Sequence, residues 1–323
     1  MGIPIASTLG MLGDNLTKRK SALPLAGRVV TAWADGLDLP HGGKTVIYTG
    51  QMWQMVPAIN AMGHQLAQYE EKEADGMFRM VRRLNRLVNL TSFLARPTAA
   101  EREVYYERLR NIARLLRAAG VKFGYLYEDD WYAGALAYDE GLDPAFRAHA
   151  QRVAEMLKSH GVERLITVDP HTTNMLRSIY PKVVPGFHVK VTSYLEVLAE
   201  HPPKTVRPLD SAVTLHDSCV YARYEGVIEP PRELLMHGGA KLVQPDLEKG
   251  LTFCCGGPAE TLFPTKSGKI AAQRIEQLKA CSPNVVTACP LCLASLSRAA
   301  PKDVHVRDIS DYLVKAYLPA AKA

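Results

Sequence analysis

"AQRVAEMLKSHGVERLITVDPHTTNML" (150–176) reads as a helical pattern, then a short apolar strand, then a turn at proline that starts another helix. "AQRIEQLKACSPNVVTACPLCLASL" (272–296) goes through the same steps, beginning with nearly the same letters. The echo extends outward, since "HVKVTSYLEVL" (188–198) is matched by "HVRDISDYLVK" (305–315). Similar segments in the same order indicate a duplicated unit, with the boundary at the linker "AEHPPKTVRPLD" (199–210).

Strand-like runs at "KTVIYTG" (44–50), "KFGYLY" (122–127), "RLITVDP" (164–170), "SAVTLHD" (211–217) and "NVVTACP" (284–290) alternate with longer helical patterns. That alternation predicts an α/β fold with parallel sheets, arranged as two pseudo-symmetric Rossmann-like lobes. The expected plan is an N-terminal arm over 1–43, a first lobe over 44–210 and a second over 211–323.

The first lobe carries a helical insertion at about 57–120, because 80 residues separate Gln51 from Tyr132 where 34 separate Cys219 from Cys254. Within it, Met77, Met80, Leu84, Leu87 and Leu94 fall near one stripe, with Arg79, Arg82, Arg83 and Arg86 elsewhere. This predicts a helical hairpin packed on its own domain, with partner docking as a second use. After Pro97, Thr98 and Glu101 stand at capping-box spacing.

With 47% hydrophobic and 22% charged residues the chain reads as soluble and globular. No apolar run nears the ~20 residues that span a bilayer, and the N-terminus does not read as a secretory signal. The expected location is the cytoplasm. The net charge of +6 is scattered, without a basic stripe, which argues against nucleic acid and suits an acidic protein partner.

The first 218 residues contain no cysteine, and all six lie at Cys219, Cys254, Cys255, Cys281, Cys289 and Cys292. In a cytosolic chain such clustering points to metal or redox chemistry. The adjacent pair Cys254–Cys255 in "LTFCCGGPAE" closes a strand-like run, and Cys289 precedes Pro290 at a predicted helix start whose dipole favours anionic sulfur. Zinc needs four ligands, usually from two compact pairs. Five thiolates with a vicinal pair exceed that need and suit an iron–sulfur centre.

The pattern "LHDSCVYARYEG", "PPRELL", "CCGGPAE" and "ACPLC" resembles the cysteine-rich CCG domain of heterodisulfide reductase B and D subunits and of related glycolate, lactate and succinate oxidoreductases. The resemblance implies one non-cubane 4Fe–4S cluster held by Cys219, Cys254, Cys255, Cys289 and Cys292. The second lobe is then the intact CCG lobe, and Cys281 is read as a buried small hydrophobe. His216, Asp217, Arg223 and Arg232 match the family's residues beside its second cysteine set, while Ser218 replaces the usual proline. His216 and Arg223 become candidate catalytic residues, His216 as a proton donor to a leaving thiolate and Arg223 or Arg232 as hydrogen-bond donors to the cluster.

The first lobe is the degenerate copy. Gln51, Tyr132, Ala133, Asp169 and Thr172 stand where the thiols would be, so no cluster is expected there. Trp131, Tyr132, Met52 and Met55 suggest an apolar fill, and His171 reads as a structural histidine.

The resemblance implies the iron–sulfur subunit of a heterodisulfide-reductase-like complex. That subunit would exchange electrons with a thiol, disulfide or sulfane-sulfur substrate, which a lipoate-binding protein could carry. A flavin-containing A-type subunit and a ferredoxin-like C-type subunit are the implied partners, because this chain shows no GxGxxG after a strand and no compact ferredoxin cysteine run. The alternatives are an electron-relay subunit of a lactate- or glycolate-type dehydrogenase and a zinc-bound structural subunit.

Overall fold

The computed structural model describes residues 4–66, 69, 74–90 and 97–320. Leu94 of the expected stripe and residues 1–3 of the N-terminal arm lie outside the described residues. Two four-stranded sheets form, both wholly parallel. The first contains β1 (Thr45–Tyr48), β2 (Gly124–Tyr125), β3 (Arg164–Thr167) and β4 (Lys190–Ser193) in the order β2-β1-β3-β4. The second contains β5 (Ala212–His216), β6 (Lys241–Leu242), β7 (Asn284–Thr287) and β8 (His305–Asp308) in the order β6-β5-β7-β8. The orders are identical under the duplication, and the central strands are apolar because helices cover both faces of a parallel sheet.

Strands β4, β6 and β8 were not among the strand-like runs. β4 and β8 are edge strands whose first halves face solvent, so "HVKVTS" and "HVRD" carry charges that mask the strand pattern. The strand expected to end at Cys254 is absent. Residues 252–256 are irregular, between single 3₁₀ turns at Lys249–Leu251 and Gly257–Thr261.

The lobes share one core, in which Trp53, Val168 and Leu116 of the first join Leu215, Leu234 and Leu313 of the second. Helix Ala99–Ala118 packs on helix Ile309–Tyr317 of the other lobe, where Arg108 pairs with Asp311 at 2.8 Å. Its N-terminus is the predicted capping box of Thr98 and Glu101. The N-terminal segment is more than an arm, since helix Ile5–Arg19 packs on helices Asp75–Asn85 and Asp143–Ser159.

One expectation for the insertion fails. Met80, Leu84, Leu87 and Val88 are exposed, and helix Asp75–Asn85 is anchored by buried Phe78 and by Arg82, which pairs with Asp14 at 2.8 Å. The register is set by a polar anchor on the N-terminal helix, which the apolar spacing alone could not show.

Candidate metal centre

The ends of β5 and β7 place the first thiols. These neighbouring central strands lie where the chain reverses its direction of travel across the sheet, the position at which open α/β sheets leave a crevice beyond their C-terminal edge. Cys219 follows β5, and Cys289 caps the helix Pro290–Ala299 that follows β7. Cys292 sits in that helix's first turn, so its sulfur and that of Cys289 come from one helix start.

The vicinal pair is delivered by a braced loop. Arg223 donates to the carbonyls of Gly250 and Thr252, Thr252 Oγ1 donates to the Asp217 carbonyl at 3.0 Å, and Ser295 Oγ donates to the Cys255 carbonyl at 2.7 Å. Gly256 then turns the chain at φ +80°, and a Cβ there would lie 2.6 Å from the Ser267 carbonyl oxygen. Only glycine fits. This turn aims the Gly256 and Gly257 N–H groups at the Cys254 and Cys255 sulfurs, at 3.2 and 3.5 Å.

The sulfurs form a run of mutual contacts, Cys219 to Cys254 to Cys255 to Cys292 to Cys289. The contact with Cys219, reinforced by Cys255, holds the Cys254 thiol well below the usual range. Burial pushes Cys289 up, yet contacts with Cys292 and His171 outweigh it and hold this thiol low as well. Cys281 stands apart, only half-buried, its thiol donating to the Gln277 carbonyl of the preceding helix at 3.7 Å. It is not the buried hydrophobe expected of it. The remaining five sulfurs fit a soft, multi-iron centre: they converge, three are buried, and backbone N–H groups already point at two of them.

The candidate helpers divide differently from the sequence reading. Arg223 braces the loop that carries Cys254, through backbone carbonyls. Arg232 grips Asp217 through two bonds of 2.7 and 2.8 Å and reaches Glu248 at 3.0 Å, tying its helix to the end of β5. His216 is buried, and Arg274 Nε donates to its Nδ1 across 3.1 Å. Burial first, then the Arg274 charge, pushes the His216 pKa down to about 3. The neutral ring, not an imidazolium, is therefore the resting form.

Two residues escaped the sequence reading. Arg274 is fully buried, yet it lies on the inner face of helix Pro264–Lys279 with Ala271, Ile275 and Leu278. A charge within an apolar stripe was the available signal. His171 is not an ordinary structural histidine. It lies within hydrogen-bonding reach of Cys289; burial opposes its charge, but the Cys289 contact raises its pKa to about 9.

The degenerate positions do converge. Thr172 packs so closely on Gly50 that a Cβ on the glycine would lie 2.5 Å from Thr172 Oγ1, and Gln51 donates from Nε2 to the Asp130 carbonyl at 2.9 Å. A buried Asp130 carboxylate accepts from the Thr49 hydroxyl and from the N–H groups of Thr49 and Gly50, replacing thiolates with a hydrogen-bonded polar knot. Beside the knot the space is not filled. A narrow, mostly apolar cleft remains, lined by Met52, Met55, Ile59, Met62 and Tyr132 of the first lobe and by Gly257 and Leu291 of the second, with His171, Asp139, Glu260 and Thr261 as polar groups. Neither His216 nor Arg223 lines it, and Trp131 stands outside it beneath the Lys20 ammonium at 3.7 Å.

Among the described residues no helix is long and apolar enough to cross a membrane. A family model for the cysteine-rich domain CCG matches residues 96–177 and 213–297, together just over half the chain. Among curated proteins, the chain is 31% identical over 224 residues to the EtfAB:quinone oxidoreductase of Syntrophomonas wolfei, covering 64% of this chain and 31% of that one. It is 30% identical to the probable iron-sulfur-binding oxidoreductase FadF of Bacillus subtilis, covering 65% and 31%. It is 29% identical to the D-type component of the dihydromethanophenazine:CoB–CoM heterodisulfide reductase of Methanosarcina acetivorans, covering 61% and 52%. The chain thus spans about a third to a half of these relatives' length. With two matched copies, of which one keeps all five thiols and the other none, the chain is a member of the CCG cysteine-rich domain family.

Proposed function

We propose that this chain is an iron–sulfur oxidoreductase subunit of heterodisulfide-reductase-like type, holding a single non-cubane 4Fe–4S cluster on Cys219, Cys254, Cys255, Cys289 and Cys292. The observation that carries the reading is the pairing of one convergent five-sulfur set with an apolar cleft that reaches the same helix start through Leu291 and Gly257. The cluster, when bound, supplies electrons one at a time. The chain's own part is to orient and to keep water out: Met52, Met55 and Tyr132 present an apolar wall, and His171 lies between that wall and Cys289.

The substrate class proposed is a slender thiol or disulfide, or a sulfane sulfur. A lipoyl arm on a carrier protein suits the cleft, because its walls are mostly apolar and two carboxylates, Asp139 and Glu260, line it against an anionic thiol. A flavin-containing subunit and a ferredoxin-like subunit would complete the electron path, in the cytoplasm. The test is anaerobic turnover by the assembled complex with a lipoyl-carrier protein and with glutathione disulfide as substrates. Turnover with the former and little with the latter supports the reading. Equal turnover with both removes the role given to the cleft.

The matches to oxidoreductases named for a quinone and for iron–sulfur binding favour a second reading, an electron relay without sulfur turnover. An iron-loaded complex that passes electrons yet acts on neither disulfide would establish that one instead.

A further inference from the structure

We infer that Arg274 is a positioning residue that locks His216 in a single tautomer, so that Nε2–H is offered as a hydrogen-bond donor to the sulfurs of Cys255 and Cys292. This rests on the reading of the five cysteines as a cluster site. The geometry carries it. Arg274 Nε donates to Nδ1 of His216 at 3.1 Å, and a guanidinium can only donate. Nδ1 is therefore the lone-pair nitrogen, and the neutral ring holds its proton on Nε2.

Nε2 is buried and has no hydrogen-bond partner among the described residues. A ring nitrogen of His216 and the sulfurs of Cys255 and Cys292 lie within 4.8 Å of one another, and with Nδ1 engaged by Arg274, Nε2 is the nitrogen available to them. A buried donor without a partner is costly, and the sulfurs of Cys255 and Cys292 are the acceptors at hand. The same assignment removes His216 from the ligand set, since a nitrogen that carries hydrogen has no lone pair for iron.

Arg274 is itself fixed: Nη1 donates to Gln277 at 2.7 Å and Nη2 approaches Thr252 Oγ1 at 3.4 Å. The second of these contacts reaches the loop that carries Cys254. The arrangement joins helix Pro264–Lys279, the end of β5 and the cysteine loop through one guanidinium. A hydrogen bond to a ligating sulfur favours the more negative, reduced state of a cluster, so the expected effect is a higher reduction potential.

Two measurements decide it. In metal-free protein labelled with ¹⁵N-histidine, the His216 signals, assigned by comparison with His216→Phe, should show the tautomer protonated at Nε2, and a proton on Nδ1 would overturn the proposal. In reconstituted protein, His216→Phe should keep its iron and shift the cluster to lower potential; loss of iron would make His216 a ligand and end the proposal. Arg274→Met should shift the potential in the same direction, with no further shift when added to His216→Phe. If Arg274→Met shifts the potential equally in both backgrounds, the guanidinium acts through its charge and not through His216. Should Arg274→Met not fold, the tautomer and the His216→Phe measurements still stand. Protein that binds no iron at all would remove the cluster reading while the tautomer measurement still tests the lock.

Discussion

Asp169 and Cys289 occupy the same position in the two lobes, each the N-cap of the helix that follows a central strand. Asp169 caps with its side chain, accepting from the Thr172 N–H at 2.9 Å, whereas the Cys289 side chain makes no cap bond and leaves its sulfur for the centre. The two are near enough for the Cys289 charge to add to burial in raising the Asp169 pKa to about 6. One lobe thus uses this position as a side-chain cap, while the other keeps a thiol there.

The first prediction separates ligands from bystanders. Cys255→Ser should lose most of its iron, because its sulfur touches those of Cys254 and Cys292, whereas Cys281→Ser should keep its iron, because the Cys281 thiol bonds to the Gln277 carbonyl of the preceding helix. Iron analysis after anaerobic reconstitution checks both, and equal loss would refute the assignment.

How far this site was legible follows from the kind of signal each residue gives. The duplicated letters around 150–176 and 272–296 carried the fold, because a helix–strand–Pro turn leaves a periodic trace that both lobes repeat. That these five cysteines gather in one place was legible from their clustering in the sequence and from the family resemblance. Arg274 and His171 were not, because their roles depend on contacts across 58 residues of chain in one case and across the lobe seam in the other. The exposed stripe at Met80 and Leu87 misled for a related reason. Helical spacing identifies a face but not what covers it.

Gly256→Ala should cripple the site without touching a ligand. A left-handed alanine costs about 1–2 kcal/mol, and its Cβ would also meet the Ser267 carbonyl at 2.6 Å, which the helix cannot easily move. The expected result is lower thermal stability together with reduced iron retention. A variant as stable and as iron-rich as the parent would contradict the account of the loop.

Asp130 predicts a pH dependence. Burial, opposed by hydrogen bonds from Thr49 and Gly50, raises its pKa from 3.8 to about 7. Between those values the folded state binds more protons than the unfolded one, so stability falls as pH rises from about 4 to 7 and levels off above. Asp130→Asn should be less stable than the parent near pH 5, where it loses well-placed acceptors, and the deficit should narrow by pH 8. Urea unfolding of both proteins at the two pH values measures this, and a constant or widening gap would count against it.

The cleft can be filled to test its use. Ile59 lines it and is not one of the five cysteines, so Ile59→Trp should leave the iron content unchanged while lowering kcat/KM for a lipoyl carrier by roughly tenfold or more, the loss expected when about 1.4 kcal/mol of binding is removed. Unchanged turnover would place the substrate elsewhere.

The most direct measurement is metal content and EPR of anaerobically purified protein. Five thiols in the second lobe, and a first lobe closed by Asp130, Gln51 and Thr172, predict about four irons per chain, no zinc, and the signal of one cluster that Cys255→Ser abolishes. About eight irons per chain, or zinc in place of iron, would contradict the account.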